Sequence, residues 1–115
     1  MNIRFEYLYR DAGNNKLWGD VVFANPEHLS IEELTGMAEA GLIDGLNFVA
    51  REVKVPELRF PDYDQELDHD WHEFHALELT SDAPADSEMR TIDEFLSSVR
   101  LACAPVRAAL STPNR

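Results

Sequence analysis

The first ten residues alternate between apolar and polar side chains, and this pattern constrains the fold more than any other feature of the chain. Ile3, Phe5, Tyr7 and Tyr9 share one parity, whereas polar residues occupy the other parity, with Leu8 as the break. A period of two that includes aromatic residues is typical of a half-buried strand. We therefore expect a sheet with one buried face.

Three further strands are predicted. Residues 17–24 follow the polar turn at residues 11–16, which indicates a hairpin. Residues 46–55 also fit a short helix, but their valines and the proline that follows them favour a strand. Residues 71–80 predict a fourth strand whose inward parity shifts once, as a bulge would cause.

Two helices are predicted from their capping patterns. Ser30 and Thr91 each precede a glutamate by three residues, which is typical of reciprocal capping at a helix N-terminus. We expect the first helix to close at Gly41 with a positive φ and the second to end or kink at Pro105. The order β-β-α-β-β-α predicts an α+β fold, with a small antiparallel sheet of about four strands and both helices on one face.

The chain of 115 residues is long enough for one domain, which we assign to residues 1–110, with a frayed tail at 111–115. Its 22 acidic and 10 basic residues give a net charge of -12. Residues 61–89, the acidic segment, contain ten carboxylates and no Lys or Arg, and we expect them between the third and fourth strands. This charge argues against direct nucleic-acid binding, which depends on clustered basic residues.

Within that segment an acid occupies every second position five times in succession. In an extended chain these side chains would lie on one side, about 6.6 Å apart. The pattern fits a solvated loop or a charge-protected edge strand, a surface that meets a basic patch on another protein, or a divalent-cation site. We call these residues the acidic run: Asp62, Asp64, Glu66, Asp68 and Asp70.

The cation interpretation has two weaknesses. Counted from Asp62, the acids match the ligand positions of an EF-hand loop, but Leu67 stands where the loop needs glycine. The histidines recur every third residue, which places them on alternating faces of a strand. The metal-ligand candidates are Asp62, Asp64, Glu66, His69, His72, Glu73 and His75.

No glycine-rich phosphate loop or nucleophile motif is present, so the sequence favours a binding role over an enzymatic one, without a cofactor. Cys103, the sole cysteine, fits a small buried hydrophobe in a reducing cytoplasm, and we expect no leader and no membrane span.

We therefore predict a small acidic interaction protein that docks on a basic surface of a partner protein, as an inhibitor or nucleic-acid mimic in a special case. The alternatives are a divalent-metal-dependent binding protein or small enzyme using residues 62–75, and a structural subunit of a larger assembly, for which an exposed face such as the one around Trp18 could drive self-association. The predicted partner-binding residues are Asp62, Asp64, Glu66, Asp68, Asp70, Trp71 and Trp18.

Overall fold

The computed structural model describes residues 1–61 and 69–111, which form four strands and two α-helices. Their order confirms the predicted α+β fold. The strands are β1 (Asn2–Arg10), β2 (Lys16–Phe23), β3 (Asn47–Val49) and β4 (Trp71–Thr80), and the helices are α1 (Ile31–Gly41) and α2 (Ile92–Ser111).

The strands form one antiparallel sheet in the order β2-β1-β4-β3, so the alternating N-terminal strand lies inside the sheet. Phe5 lies opposite Val21 on β2 and Leu77 on β4. The register of β1 against β4 shifts between Glu6 and Tyr7, which confirms the predicted bulge in β4.

One hydrophobic core joins the sheet to both helices, which therefore cover the same face. Phe95 of α2 stacks on Phe23 with ring centroids 4.3 Å apart and meets Phe5 edge-on at 4.9 Å. Leu34 and Ala38 of α1 belong to the same buried cluster. The opposite face of the sheet, where Arg4, Glu6 and Leu8 lie, carries neither of the two helices in the described part of the chain.

The prediction of one strand over residues 46–55 is wrong beyond Val49. Residues Ala50–Glu52 form a 3₁₀ turn instead. Val49 pairs with Trp71, the first residue of β4, so the residues after it have no strand to pair with. After this turn, Val53 and Val55 are buried in the core.

The predicted positive φ at Gly41 is also wrong, because α1 leads into an extended Leu42 with a φ of -78°. A different constraint applies to Gly41. A Cβ atom there would lie 3.3 Å from the Cα of Arg100, so the missing side chain lets α1 and α2 approach closely.

Pro105 does not end α2, which continues to Ser111. A proline inside a helix removes one backbone hydrogen bond and costs about 3 kcal/mol. Apolar burial on the same helix offsets part of this cost, because Cys103 before the proline lies in the core and Val106 after it packs against the core. Arg107 also donates to the backbone carbonyls of Gly41 and Arg100.

The loop between β4 and α2 is fixed by Arg90. Its guanidinium donates to both carboxylate oxygens of Asp86, at 2.8 and 2.9 Å, and to the carbonyls of Val53 and Lys54. Burial alone would raise the pKa of Asp86, but the hydrogen bonds from Arg90 outweigh burial and lower it. The guanidinium therefore joins this loop to the turn after β3.

Residues 61–89 are not one connection. Residues 71–80 form β4, residues 81–90 lead to α2, and residues 62–68 lie outside the described part of the chain, as do residues 112–115 of the predicted tail. Cys103 is buried, as predicted, and burial raises the pKa of its thiol. Among the described residues, neither helix has the length and apolarity that a membrane span requires.

We expect Phe95→Ala to lower the free energy of unfolding by about 3–5 kcal/mol, because it empties the centre of the core. Denaturant unfolding measures this loss. Leu101→Ala on the same helix is the control: its side chain is 76% exposed, so we expect a change within about 0.5 kcal/mol. Equal losses in the two variants would contradict the described packing of α2.

Candidate functional site

Two tyrosines of β1 hold the chain on both sides of residues 62–68. The hydroxyl of Tyr7 donates to the carbonyl of Pro56 at 2.6 Å, and the hydroxyl of Tyr9 donates to the carbonyl of His69 at 2.8 Å. The rings themselves are buried in the sheet. Two points that flank residues 62–68 are therefore fixed to β1.

His72 provides a third anchor. Its Nε2 accepts the backbone N–H of Leu58 at 2.9 Å, and its Nδ1 lies 3.0 Å from the carbonyl oxygen of Asp70. The imidazole is 3% exposed and is surrounded by the rings of Tyr7, Tyr9 and Phe48, with centroids 5.2–6.0 Å away. We call Tyr7, Tyr9 and His72 the anchor residues.

Burial sets the protonation of two anchor residues, Tyr7 and His72. It raises the pKa of the Tyr7 phenol, and the charge of Asp20 raises it further, so the hydroxyl keeps the proton that it donates. Burial lowers the pKa of His72 and outweighs the hydrogen bond to Asp70 and the charge of Glu57, which act in the opposite direction. Tyr7 and His72 are therefore neutral at neutral pH.

Beside the anchors lies a cavity of about 420 Å³ with Asn47, Val49 and Trp71 in its wall. Its carboxylates are paired with arginines. Asp70 contacts Arg51 at 3.0 Å and Arg59 at 3.3 Å, and Glu73 accepts from Arg10 at 2.9 Å, a bond that lowers the pKa of Glu73. Asp70, a predicted contact residue, thus also fixes the local structure.

The sheet face without helices, which we call the open face, has an aromatic centre. Trp18 is 55% exposed and meets the ring of His75 edge-on, with centroids 4.9 Å apart. Leu8, the residue that broke the alternation, lies directly opposite Trp18 and is buried. An aromatic side chain that remains exposed on a rigid strand is a common anchor for a protein partner.

Carboxylates outnumber basic groups along one part of the open face. Arg4 forms ion pairs with Glu78 and Asp82 and lies 3.9 Å from Asp20. One guanidinium therefore faces three carboxylates that are each at least half exposed. This side of the open face has the same sign of charge as the acidic run.

The predicted site residues are divided by the fold. Asp62, Asp64, Glu66 and Asp68 lie outside the described residues. Trp18 lies on β2, whereas Asp70 and Trp71 line the cavity next to β3.

The structure does not gather the predicted metal-ligand histidines. His72 is buried among the anchor residues, His75 lies on the open face, and His69 contacts Tyr9. Across residues 1–61 and 69–111, no three His, Cys, Asp or Glu side chains are grouped to hold a metal ion. Asp62, Asp64 and Glu66 of that candidate set lie outside these residues.

The roles of Tyr7, Tyr9 and His72 were not predicted from the sequence. The available signal was a pair of tyrosines in place of further phenylalanines on the buried parity of β1, since a buried hydroxyl needs a partner. The partners themselves are backbone atoms, which the sequence does not mark.

Comparison with known proteins gives no family for this fold and site: no protein-family model, curated protein or solved structure matches the chain.

We expect Tyr9→Phe to lower the free energy of unfolding by about 1 kcal/mol, because the carbonyl of His69 loses its donor. Denaturant unfolding gives the loss, and amide hydrogen exchange should show faster exchange near His69 than in the parent. An unchanged unfolding curve and unchanged exchange would show that the hydroxyl does not hold this point.

Proposed function

We propose that this chain is a small acidic, non-enzymatic interaction protein that docks on a basic surface of a partner protein. The acidic run and the open face form the contact surface. The observation that carries this proposal is the set of anchors, which fixes the chain on both sides of residues 62–68 to a rigid strand.

The anchors support docking through their effect on conformational freedom. A loop whose ends are fixed loses less entropy on binding than a free tail does, so more of the attraction between charges remains as affinity. Residues 62–68 contain four carboxylates and no basic residue. Their combined field would attract a basic surface over a distance of about 10 Å at moderate ionic strength.

The composition of the open face also supports a docking role. Trp18 offers a large apolar surface between polar neighbours, the composition that interface centres and rims commonly have. The carboxylates around Arg4 would favour a basic partner there as well. Charge would then govern the rate of association, and Trp18 would govern the lifetime of the complex.

A regular row of carboxylates can also imitate the phosphates of a nucleic acid. Where the partner's basic surface normally holds DNA or RNA, docking of this protein would exclude the nucleic acid and act as inhibition. Competition between this protein and a nucleic acid for one site separates inhibition from ordinary docking. A cytoplasmic location belongs to this proposal, consistent with the single buried Cys103.

The test begins with a partner captured at low salt from the source cells and then purified. We expect joint replacement of Asp62, Asp64, Glu66 and Asp68 by Asn or Gln to weaken its binding at least tenfold, about 1.4 kcal/mol, and to reduce the salt dependence. Titration calorimetry at two salt concentrations measures both effects. Trp18→Ala should weaken binding through faster dissociation.

The matched control replaces Glu27, Glu32, Glu39 and Asp44 by Gln or Asn, which removes the same charge from exposed positions away from the site. We expect this variant to bind within about threefold of the parent, since charges beyond the interface are largely screened. If both variants bound equally weakly, the loss of affinity would depend on the net charge of the protein and not on the position of the acidic run. Unchanged binding by the acidic-run variant would disprove the proposal.

A further inference from the structure

The backbone of β2, an edge strand of the sheet, has groups that point away from β1. In an antiparallel pair, every second residue exchanges hydrogen bonds with the neighbouring strand, and the residues between them direct their N–H and C=O groups the other way. The N–H of Asp11 donates to the carbonyl of Asn15 across the hairpin, so the odd-numbered residues of β2 bond to β1. The even-numbered residues therefore direct their backbone groups away from the sheet.

Two contacts near the end of β2 agree with this parity. The carbonyl of Val22 accepts from the N–H of Ala85 at 2.9 Å, and the carbonyl of Ala24 accepts from the N–H of Ile92 at 2.8 Å. Both acceptors are even-numbered residues, and both donors lie in the chain between β4 and the first turn of α2. This end of the outer edge is therefore covered.

The rest of the outer edge, which we call the free edge, has three outward residues: Lys16, Trp18 and Asp20. Within residues 1–61 and 69–111, no hydrogen bond reaches the N–H or C=O groups of these three residues from outside the sheet. Their side chains are exposed and lie on the open face. An edge with exposed backbone groups is a template for another extended strand.

The charges of the free edge complement those of a second copy. When two identical edges run antiparallel with Trp18 at the centre, Lys16 of each copy lies opposite Asp20 of the other. Opposite charges that face each other across two strands stabilise the pair, whereas like charges destabilise it. Charged residues at an edge prevent pairing between copies only where like charges meet, which is not the case in this arrangement.

The surroundings of Asp20 also favour an additional positive charge. Asp20 lies 3.9 Å from Arg4, and that guanidinium already faces two other carboxylates. Lys16 forms no ion pair of its own in the described part of the chain. In the paired arrangement, Lys16 of each copy would supply a second positive charge to the carboxylates of the other copy.

The length of the free edge determines the register of the pairing. The contact with Ala85 ends the free edge beyond Asp20, and the hairpin turn ends it before Lys16. Only an alignment with Trp18 at the centre lets all three outward residues of both copies bond. Trp18 then lies directly opposite its equivalent, with both rings on the open face.

We propose that two copies of this chain associate edge to edge through β2, with a two-fold axis at Trp18, so that their four-stranded sheets join into one continuous antiparallel sheet. The contact is short, and interfaces below about 1,200 Å² are typical of transient complexes, so association depends on protein concentration. The net charge of -12 on each copy opposes association as well. This inference goes beyond the proposed function and does not depend on it.

The test is sedimentation equilibrium of the full chain over a series of protein concentrations. We expect the average mass of the parent to rise from the monomer towards the dimer. Lys16→Glu and Asp20→Lys should each weaken self-association at least tenfold, because each substitution places like charges opposite each other twice. An equal mixture of the two variants should associate again, since each new charge then meets its opposite.

The matched controls are Arg100→Glu and Glu39→Lys, which make the same changes of charge at exposed positions on the two helices. We expect both controls to self-associate within about threefold of the parent, because charges away from the interface are largely screened. A parent that remains monomeric would overturn the proposal. A mixture of Lys16→Glu and Asp20→Lys that associates no better than either variant alone would overturn it as well.

Amide hydrogen exchange tests the backbone pairing directly. On raising the protein concentration, we expect the outward amides of Trp18 and Asp20 to exchange more slowly, whereas the amide of Gly19, which faces β1, should change less. Protection that appears only after the captured partner is added would assign the edge to another protein and overturn the pairing of two copies. Unchanged binding by the acidic-run variant would instead disprove the proposed function and leave the dimer intact.

Discussion

The rest of the structure depends on the packing of the buried side of β1 against the core. Phe5 contacts Phe95 of α2 and Phe48 of β3, so one side chain connects the helix layer to the edge strand β3. Further along the same side of the strand, Tyr7 and Tyr9 end in hydroxyl groups that bind backbone carbonyls. A single alternating strand thus supplies the core at one end and the site at the other.

The fold could be predicted from the sequence where local and tertiary preferences agree. Alternation identified β1, and the Thr91–Glu94 pair forms the reciprocal cap that its spacing predicts, with bonds of 2.9 and 3.3 Å. Predictions failed where a distant part of the chain decides the conformation. The strand after Val49 ends because β4 begins at Trp71, and the role of Gly41 depends on the approach of Arg100, fifty-nine positions away.

The candidate site was harder to predict than the fold, because its key contacts join side chains to backbone atoms. The spacing of His69, His72 and His75 indicated metal binding, yet in the structure His69 and His72 both contact Tyr9, whereas His75 contacts Trp18. The sequence marks the carboxylates of the acidic run clearly. It gives no sign that Leu58 and His69 are held by a buried imidazole and a buried phenol.

The anchors have a consequence for how such a protein can diversify. Four hydrogen bonds of the anchors go to main-chain atoms in this part of the chain: the carbonyls of Pro56, His69 and Asp70 and the amide of Leu58. Substitution of the side chains between these points leaves the holding contacts chemically unaltered. Under the proposed docking role, a change in the side chains of residues 62–68 would alter the binding preference without removing these hydrogen bonds.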